Sequence, residues 1–473
     1  MAFLTIDHLS FTYTTPEAAT LQDVQLNFQR GTLNLLTGAS GSGKSTLLKI
    51  IAGLYPKHAG QLLSGQILVH GQPVTLPDAS LVALMFQNPD NQFVMDTVYE
   101  ELIFTLENLQ IDPAEFDDKV TAALDFVGIS ALRKRHLATL SGGEKQKVAL
   151  AIIVAMDSQI ILLDEPFASI DPQARADILA KLILLKSEQH KTIIIADHDL
   201  SDYQGRIDQL LYDDQHTHQV KAANEAQQAA LFRPFLRKIK SSDYPLPAMG
   251  QEPAIVNLDH VAIKQFAREI LNQPQLDFFA NKVTLITGPN GIGKSTLFNA
   301  LVKLKSCQGT ISYAGRDIKR IHQRQYSRDI GLVFQNADRQ FIAVTVNEEL
   351  EASQKHSLLP QIYTPEKVAA LFAQLGLEGL EERIVYSLSE GQKKRLQVLL
   401  MLIMGTPVLL LDEPFKGLDL ESMQHLIDLL QQTAAEQQRT IILISHQLQG
   451  LTKFVDYHLT FEQQHLQYVG VAQ

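Results

Sequence analysis

Two nine-residue stretches of this chain carry the same chemistry. Gly38-Ala39-Ser40-Gly41-Ser42-Gly43-Lys44-Ser45-Thr46 and Gly288-Pro289-Asn290-Gly291-Ile292-Gly293-Lys294-Ser295-Thr296 both fit G-x-x-x-x-G-K-[ST]. Glycines let such a loop wrap phosphates with its backbone N–H groups turned inward. A helix starting there adds partial positive charge. Lys44 and Lys294 would reach the β- and γ-phosphates, and Ser45 and Ser295 would ligate Mg²⁺ through their hydroxyls. Each half also holds an acidic pair at the end of an apolar run, Asp164-Glu165 and Asp412-Glu413. An Asp there can hold a water ligand of Mg²⁺, and the adjacent Glu can act as general base on an attacking water. His198 lies 34 residues after Asp164, and His446 lies 34 after Asp412. Each histidine follows an apolar run, so each would emerge at the sheet edge that carries the glycine loop and could hydrogen-bond a γ-phosphate.

The elements that must position these groups repeat with them. The glycine loops are offset by 250 residues, and Leu163-Asp164-Glu165-Pro166-Phe167 recurs as Leu411-Asp412-Glu413-Pro414-Phe415 at an offset of 248. A duplicated unit of roughly 230 residues follows. Leu33–Thr37, Ile160–Leu163 and Ile193–Ala196 read as buried parallel strands, as do Val283–Thr287, Val408–Leu411 and Ile441–Ile444. Helices are expected over Ser45–Gly53 and Ser295–Leu304. Between Gln87 and Ser141, and between Gln335 and Ser389, the pattern turns helical and predicts an inserted helical subdomain in each lobe. The expected domains are residues 1–212 and 254–473, with 213–253 as a linker that carries a short helix around Ala222–Leu231. The linker's basic cluster, Arg233, Arg237, Lys238 and Lys240, reads as a solvated face or inter-lobe contact, with lipid headgroups as the other reading. His216 and His218 read as loop residues.

The 473-residue chain has 41 basic and 52 acidic residues, a net charge of −11, with 45% hydrophobic and 20% charged residues. This is globular composition, and the acidic balance argues against a nucleic-acid partner. The single cysteine, Cys307, allows no internal disulfide. Val398–Met404 is far shorter than the ~20 residues a membrane span needs and reads as a buried helix. Met1–Tyr13 alternates like a strand and lacks a basic n-region or cleavage site. A membrane role is therefore expected to come through partner subunits.

Leu140-Ser141-Gly142-Gly143-Glu144 stands 23 residues before its acidic pair, and Ser389 stands 23 before its own. Together with Ser169-Ile170-Asp171, Gly417-Leu418-Asp419, Gln87 and Gln335, this resembles the ATP-binding cassette (ABC) ATPases over nearly all of both lobes. The resemblance implies an α/β fold: two P-loop NTPase lobes, each a mainly parallel sheet core with an inserted helical subdomain. It implies ATP and Mg²⁺ as cofactors, Glu165 and Glu413 as catalytic bases, and His198 and His446 as their catalytic partners. ATP contacts would come from Gly38, Ser40, Gly41, Gly43, Lys44, Ser45, Thr46, Gln87 and Asp164 in the first lobe. The second lobe would supply Gly288, Asn290, Gly291, Gly293, Lys294, Ser295, Thr296, Gln335 and Asp412. Ser45, Gln87, Ser295 and Gln335 would be the Mg²⁺ ligands. In that family the signature acts in trans, so Ser141 and Gly143 would meet the phosphate held by Lys294, and Ser389 and Gly391 the one held by Lys44. The lobes would thus pair intramolecularly.

Gln87-Asn88-Pro89-Asp90-Asn91-Gln92-Phe93 followed by Asp96-Thr97-Val98-Tyr99-Glu100-Glu101-Leu102 closely resembles the ATPases of energy-coupling factor (ECF) importers of vitamins and transition-metal cations. The second lobe keeps Gln335-Asn336-Ala337-Asp338-Arg339-Gln340-Phe341 and Val344-Thr345-Val346-Asn347-Glu348-Glu349-Leu350. This implies a transmembrane energy-coupling subunit docked beside the Q-loops, the segments that begin at Gln87 and Gln335, a separate substrate-binding membrane subunit, and a peripheral position on the cytoplasmic face of the cell membrane. The alternatives are the tandem ATPase of a sugar importer and a soluble tandem cassette acting on ribosomes. A catalytically dead regulatory cassette conflicts with the Lys, Asp, Glu and His present in both lobes.

The lobes differ at two expected contacts. Tyr13 falls where the family places an aromatic on adenine, whereas the second lobe has Gln265 there with Phe266 beside it. Glu390 replaces the first glycine of the second signature. A carboxylate about 7 Å from a γ-phosphate would cost roughly 2 kcal/mol at an effective dielectric of 20. Alternatively, Glu390 points outward as a helix N-terminal acid, where a negative charge is favourable.

Overall fold

The computed structural model describes residues 2–13, 19–39, 41–73, 78–168, 170–214, 219–236, 243–248, 250, 252–265 and 268–471. Of the residues singled out above, Ser40, Ser169, His216, His218, Arg237, Lys238, Lys240 and Phe266 lie outside these, as does the side chain of Gln265. The chain divides into two units, Met1–Leu236 and Arg237–Gln473.

The first unit has strands β1 (Leu4–Thr12), β2 (Leu21–Phe28), β3 (Leu33–Thr37), β4 (Gln61–Val69), β5 (Gln72–Pro73), β6 (Val82–Met85), β7 (Ile160–Asp164), β8 (Thr192–Ala196), β9 (Gln209–Asp214) and β10 (Gln219–Ala222). Its helices are α1 (Lys44–Ile51), α2 (Val98–Asn108), α3 (Phe116–Val127), α4 (Gly142–Met156), α5 (Pro172–Gln189) and α6 (Glu225–Phe232). The central sheet runs β6-β7-β8-β3-β9-β10, parallel except for the β9–β10 edge. Its strands β3, β7 and β8 are buried along their whole length, as fully apolar runs require. A second, antiparallel sheet, β2-β1-β4-β5, is the layer that the central-strand reading did not foresee.

The second unit repeats this plan. Its strands are β11 (Ala254–Gln265), β12 (Arg268–Phe279), β13 (Val283–Thr287), β14 (Gln308–Tyr313), β15 (Arg316–Asp317), β16 (Ile330–Val333), β17 (Val408–Asp412), β18 (Thr440–Ile444), β19 (Tyr457–Glu462) and β20 (His465–Val469). Its helices are α7 (Lys294–Leu301), α8 (Gln323–Asp329), α9 (Val346–Lys355), α10 (Pro365–Gln374), α11 (Glu390–Met404) and α12 (Leu420–Gln437). The central order β16-β17-β18-β13-β19-β20 matches the first unit strand for strand, and β12-β11-β14-β15 forms the antiparallel layer.

In each unit two apolar clusters form, one packing the helical insert and the other the antiparallel layer with the first helix. The inserts begin with matching capping boxes. Thr97 and Glu100 cap α2, and Thr345 and Glu348 cap α9, so orphan N–H groups at each start find acceptors. The stretch expected as a linker includes β10, α6 and, beyond Leu236, Tyr244, which packs into a core cluster of the second unit. Among the described residues no helix is long and apolar enough to cross a membrane.

Candidate functional site

The glycine loops connect β3 to α1 and β13 to α7. Positive φ at Gly43 (86°) and Gly293 (117°) marks the turn into each helix, a conformation that Gly adopts without a Cβ penalty. The Lys44 ammonium donates to the carbonyls of Gly38 (2.8 Å) and Ala39 (2.7 Å) and to the Ser42 hydroxyl (3.3 Å). Lys294 donates in the same way to Gly288 (2.7 Å) and Pro289 (2.9 Å), and also to His446 Nε2 (3.2 Å). Both cations are thus already folded over the loop they would serve. Gly41, Gly291 and Asn290 lie within the same loops, and Thr46 and Thr296 follow in α1 and α7.

Each acidic pair sits where its parallel strand ends. Asp164 is buried and hydrogen-bonds Ser45; burial, with the neighbouring Glu165 charge, pushes it up to about 6. Asp412 is buried against Ser295 in the same way, and burial again takes it to about 6. Its Oδ1 is a buried oxygen without a hydrogen-bond partner. A serine hydroxyl beside a carboxylate with a spare buried lone pair fits a hydrated Mg²⁺, a hard cation that takes oxygen ligands. Among the described residues no cluster of three or more His, Cys, Asp or Glu side chains forms a separate metal site.

Glu165 (φ 46°) and Glu413 (φ 49°) both take the left-handed backbone conformation, uncommon for a non-glycine residue. Strain of this kind collects at functional sites. His198 Nδ1 lies 3.3 Å from Glu165 Oε1. Burial opposes both charges, but the pair prevails: His198 rises to about 9 and Glu165 is held below the usual carboxylate range. The Gln87 side chain also hydrogen-bonds Glu165. In the second unit His446 Nε2 lies 3.5 Å from Glu413 Oε1, and the His446 backbone N–H donates to Glu413 Oε2 (3.2 Å). Burial outweighs the Lys294 charge there, and Glu413 is raised. Gln335 is exposed.

Both signature serines cap helices. Ser141 heads α4 in a capping box with Glu144, and Ser389 heads α11 in one with Gln392. Gly143 and Gly391 follow in the first turns. Glu390 is the first residue of α11, about half exposed, with Lys393 Nζ 3.9 Å from its carboxylate. Of the two readings open for Glu390, this is the geometry of the helix N-terminal acid. Tyr13 is 45% exposed. Its hydroxyl lies 2.9 Å from that of Thr46, and its ring meets Phe11 and Tyr55 edge-on.

Several contacts escaped the sequence reading. Buried Glu101 takes the N–H groups of Val94 (2.8 Å) and Met95 (2.7 Å), and buried Glu349 takes those of Ile342 (2.5 Å) and Ala343 (2.6 Å), shaping the segment after each Q-loop. Gln146 of α4 donates to the Glu165 carbonyl (3.1 Å). Its counterpart Lys394 donates instead to the Phe334 carbonyl (2.8 Å). Only the second-glutamate repeat, Glu101 and Glu349, left a readable signal, since a charged residue recurred at an apolar helix position.

The family pattern described as ABC transporter matches residues 21–168 and 271–416. The chain is 31% identical over 99% of its length to the Bacillus subtilis protein named "Putative HMP/thiamine import ATP-binding protein YkoD", covering 91% of that protein. It is 30% identical to a Treponema denticola protein named "Putative ABC transporter ATP-binding protein", over 94% of this chain and 92% of that one. An archaeal ribosome recycling factor, solved with a ribosomal stalk protein, matches with TM-score 0.67 at 18% identity, over 98% of this chain and 90% of that one, and shares the tandem fold. Two complete cassettes in one polypeptide, each with its glycine loop, acidic pair and capped signature helix, make this chain a tandem ATPase of the ABC transporter family.

Proposed function

We propose that the chain is the ATP-hydrolysing, energy-coupling subunit of an ECF-type importer for a vitamin or a transition-metal cation. The observation that carries this reading is the apolar surface beside each Q-loop. Val94 is 68% exposed, Ile342 84% and Val344 59%, on backbone whose N–H groups Glu101, Glu349 and Glu348 respectively accept. Large exposed apolar groups held on a fixed loop suit a covering partner. A transmembrane energy-coupling subunit would cover them, and a separate membrane subunit would bind the cargo. The import role in the name of the Bacillus subtilis relative supports the same reading.

In this reading Lys44 and Lys294 turn from their loop carbonyls to ATP phosphates, cradled by Gly38, Ser40, Gly41 and Gly43 in one lobe and Gly288, Asn290, Gly291 and Gly293 in the other. Tyr13 offers its ring face to adenine. Ser45 and Ser295, with Gln87 and Gln335, would hold Mg²⁺ beside Asp164 and Asp412. When bound, the ion neutralises charge on the phosphoryl oxygens. Glu165 and Glu413 accept a proton from the attacking water. His198 and His446 orient the γ-phosphate and their glutamates. Ser141 and Gly143 complete the Lys294 site in trans, and Ser389 and Gly391 complete the Lys44 site. ATP binding then draws the lobes together, and hydrolysis releases them. The working position is peripheral, on the cytoplasmic face of the membrane.

Affinity purification of the tagged full chain in mild detergent tests this. The expected result is co-purification of two membrane proteins, with ATP-dependent cargo uptake after reconstitution in vesicles. Recovery with ribosomes and no membrane protein overturns the proposal in favour of the ribosomal alternative.

A further inference from the structure

The first unit holds a buried charge network with no counterpart among the described residues of the second. Arg175 stands on α5, four residues after Asp171, the N-cap of that helix. Its guanidinium is almost wholly buried. Nη1 donates to Asp199 Oδ2 (2.5 Å), and Nη2 donates to the carbonyls of Asp199 (2.6 Å) and Ser201 (2.8 Å). Asp197 Oδ2 lies 3.7 Å from Nη2, and Tyr203 donates its hydroxyl to that same carboxylate oxygen (2.9 Å). The Asp199 N–H closes the turn onto Asp197 Oδ1 (2.9 Å). The rings of Phe167 and Tyr203 flank the guanidinium, with centroids 5.3 and 5.2 Å away. One side chain therefore ties together the segment just after Glu165, the start of α5, and the loop on both sides of His198.

At the offset of 248 residues, the second unit replaces Arg175 with Met423, Asp197 with Ser445, Asp199 with Gln447 and Tyr203 with Leu451. Met423, Leu451 and Phe415 join the apolar core there. The same backbone positions are thus filled by packing in one lobe and by charge in the other. Packing tolerates small displacements, whereas a planar guanidinium with three fixed acceptors specifies direction. Removing one member of such a buried group leaves the other charges unpaired and destabilises the fold.

We infer that Arg175 is a positioning residue that fixes the aim of His198 at the first ATP site, a role that Met423 at the counterpart position does not fill. This rests on the proposed hydrolytic role of His198. Arg175 touches neither phosphate nor water in this scheme; it acts by holding the loop that presents the imidazole. Reactions that depend on alignment lose rate when such a loop is freed, while ground-state binding through the glycine loop persists.

The test uses the full chain, with steady-state ATP turnover and a thermal melt for each variant. Arg175→Lys keeps the charge but cannot reach all three acceptors. It is expected to melt near the parent, keep KM for ATP within about twofold, and lose up to about half of the total kcat, the first site's share. The exchange of all four residues for the second lobe's set, Arg175→Met with Asp197→Ser, Asp199→Gln and Tyr203→Leu, removes the buried charges together. It is expected to fold and to show the same kcat loss at unchanged KM. Parental kcat in Arg175→Lys or in the folded four-residue exchange overturns the inference. So does a loss confined to KM, or a four-residue exchange that does not fold, since either gives Arg175 a purely structural role. His198→Gln separates the two claims: unchanged turnover in that variant removes the role of His198 itself, whatever Arg175 does.

Discussion

Lys145, in the first turns of α4, meets Asp90 of the Q-loop turn at 2.5 Å, and Lys393 meets Asp338 at 2.9 Å in the second unit. The same ion pair therefore joins the signature helix to the Q-loop segment in both lobes. Asp90 is more than half exposed, so the pair adds at most about 1 kcal/mol to stability. Its value lies in linking two segments of different function. Asp90→Ala is expected to leave the melting temperature and ATP turnover nearly unchanged while lowering the cargo moved per ATP. Paired phosphate-release and vesicle-uptake assays check this, and an unchanged ratio refutes the link.

The two glutamates proposed as general bases sit in different electrostatic surroundings. Glu165 is held low by His198, whereas Glu413 is raised by burial. Glu165→Gln and Glu413→Gln should each cut hydrolysis at the altered site by about a hundredfold if proton transfer to the glutamate is lost. Their residual rates and pH profiles should differ, and identical behaviour would count against unequal sites. Glu390→Gly should change turnover by less than about twofold, because the carboxylate sits at a helix N-terminus beside Lys393.

His198 gives stability a defined pH window. Its folded pKa, about 9, lies above the ordinary 6.5. The contribution is therefore complete below pH 6.5 and is lost as pH rises through about 9. Urea unfolding of the parent and of His198→Gln between pH 6 and 10 measures it. The difference should be largest at pH 6 and shrink toward pH 10; a difference that grows with pH contradicts the assignment.

The glycine loops should differ in tolerance. A Cβ on Gly293 would lie 1.8 Å from Ile270 Cγ2, and one on Gly43 would lie 2.8 Å from Leu21 Cδ2. Both positions have positive φ, so each Ala variant carries backbone strain of about 1 kcal/mol or more. Gly293→Ala should lower the melting temperature more, because a β-branched Ile yields less than the far end of a Leu. Calorimetry of both variants, with ATP titration, checks the order.

Tyr13 combines a half-exposed ring with a hydroxyl tied to Thr46. Tyr13→Ala should raise KM for ATP by about tenfold, the loss of one stacking contact of 1–2 kcal/mol. Tyr13→Phe should raise it by less than about threefold. Equal effects in both variants would assign the role to the hydroxyl rather than the ring.

The central strands were legible because β3, β7, β8 and their counterparts are short, uninterrupted apolar runs, which only a sheet covered on both faces can bury. The antiparallel layer was legible only at β1, which lies within the strand-like Met1–Tyr13. β4 reads Gln-Leu-Leu-Ser-Gly-Gln-Ile-Leu-Val and is largely exposed, and a bulge at His260 breaks the alternation in β11. The helix after each glycine loop stops at Ile51 and Leu301, earlier than the apolar pattern suggested. The glycine loops, acidic pairs and histidines were readable from spacing alone. The Arg175 network was not, because an Arg on a helix and acids more than twenty residues away look like solvated charges until the fold brings them together. Its one trace was the contrast between Asp197-His198-Asp199 and Ser445-His446-Gln447.

The left-handed backbone at Glu165 and Glu413 bears on how this chain can age. A glycine at either position would relieve the backbone strain, but at Glu165 it would also strip His198 of its ion-pair partner. Relief of strain therefore favours glycine more at Glu413, a carboxyl that burial raises, than at Glu165, which His198 holds low. Because both lobes lie on one chain, each glutamate can be lost on its own, with no duplicate of the change at the other site. A lineage that retires one motor has a thermodynamic incentive to do so one lobe at a time, and the vacated position would record which lobe went first.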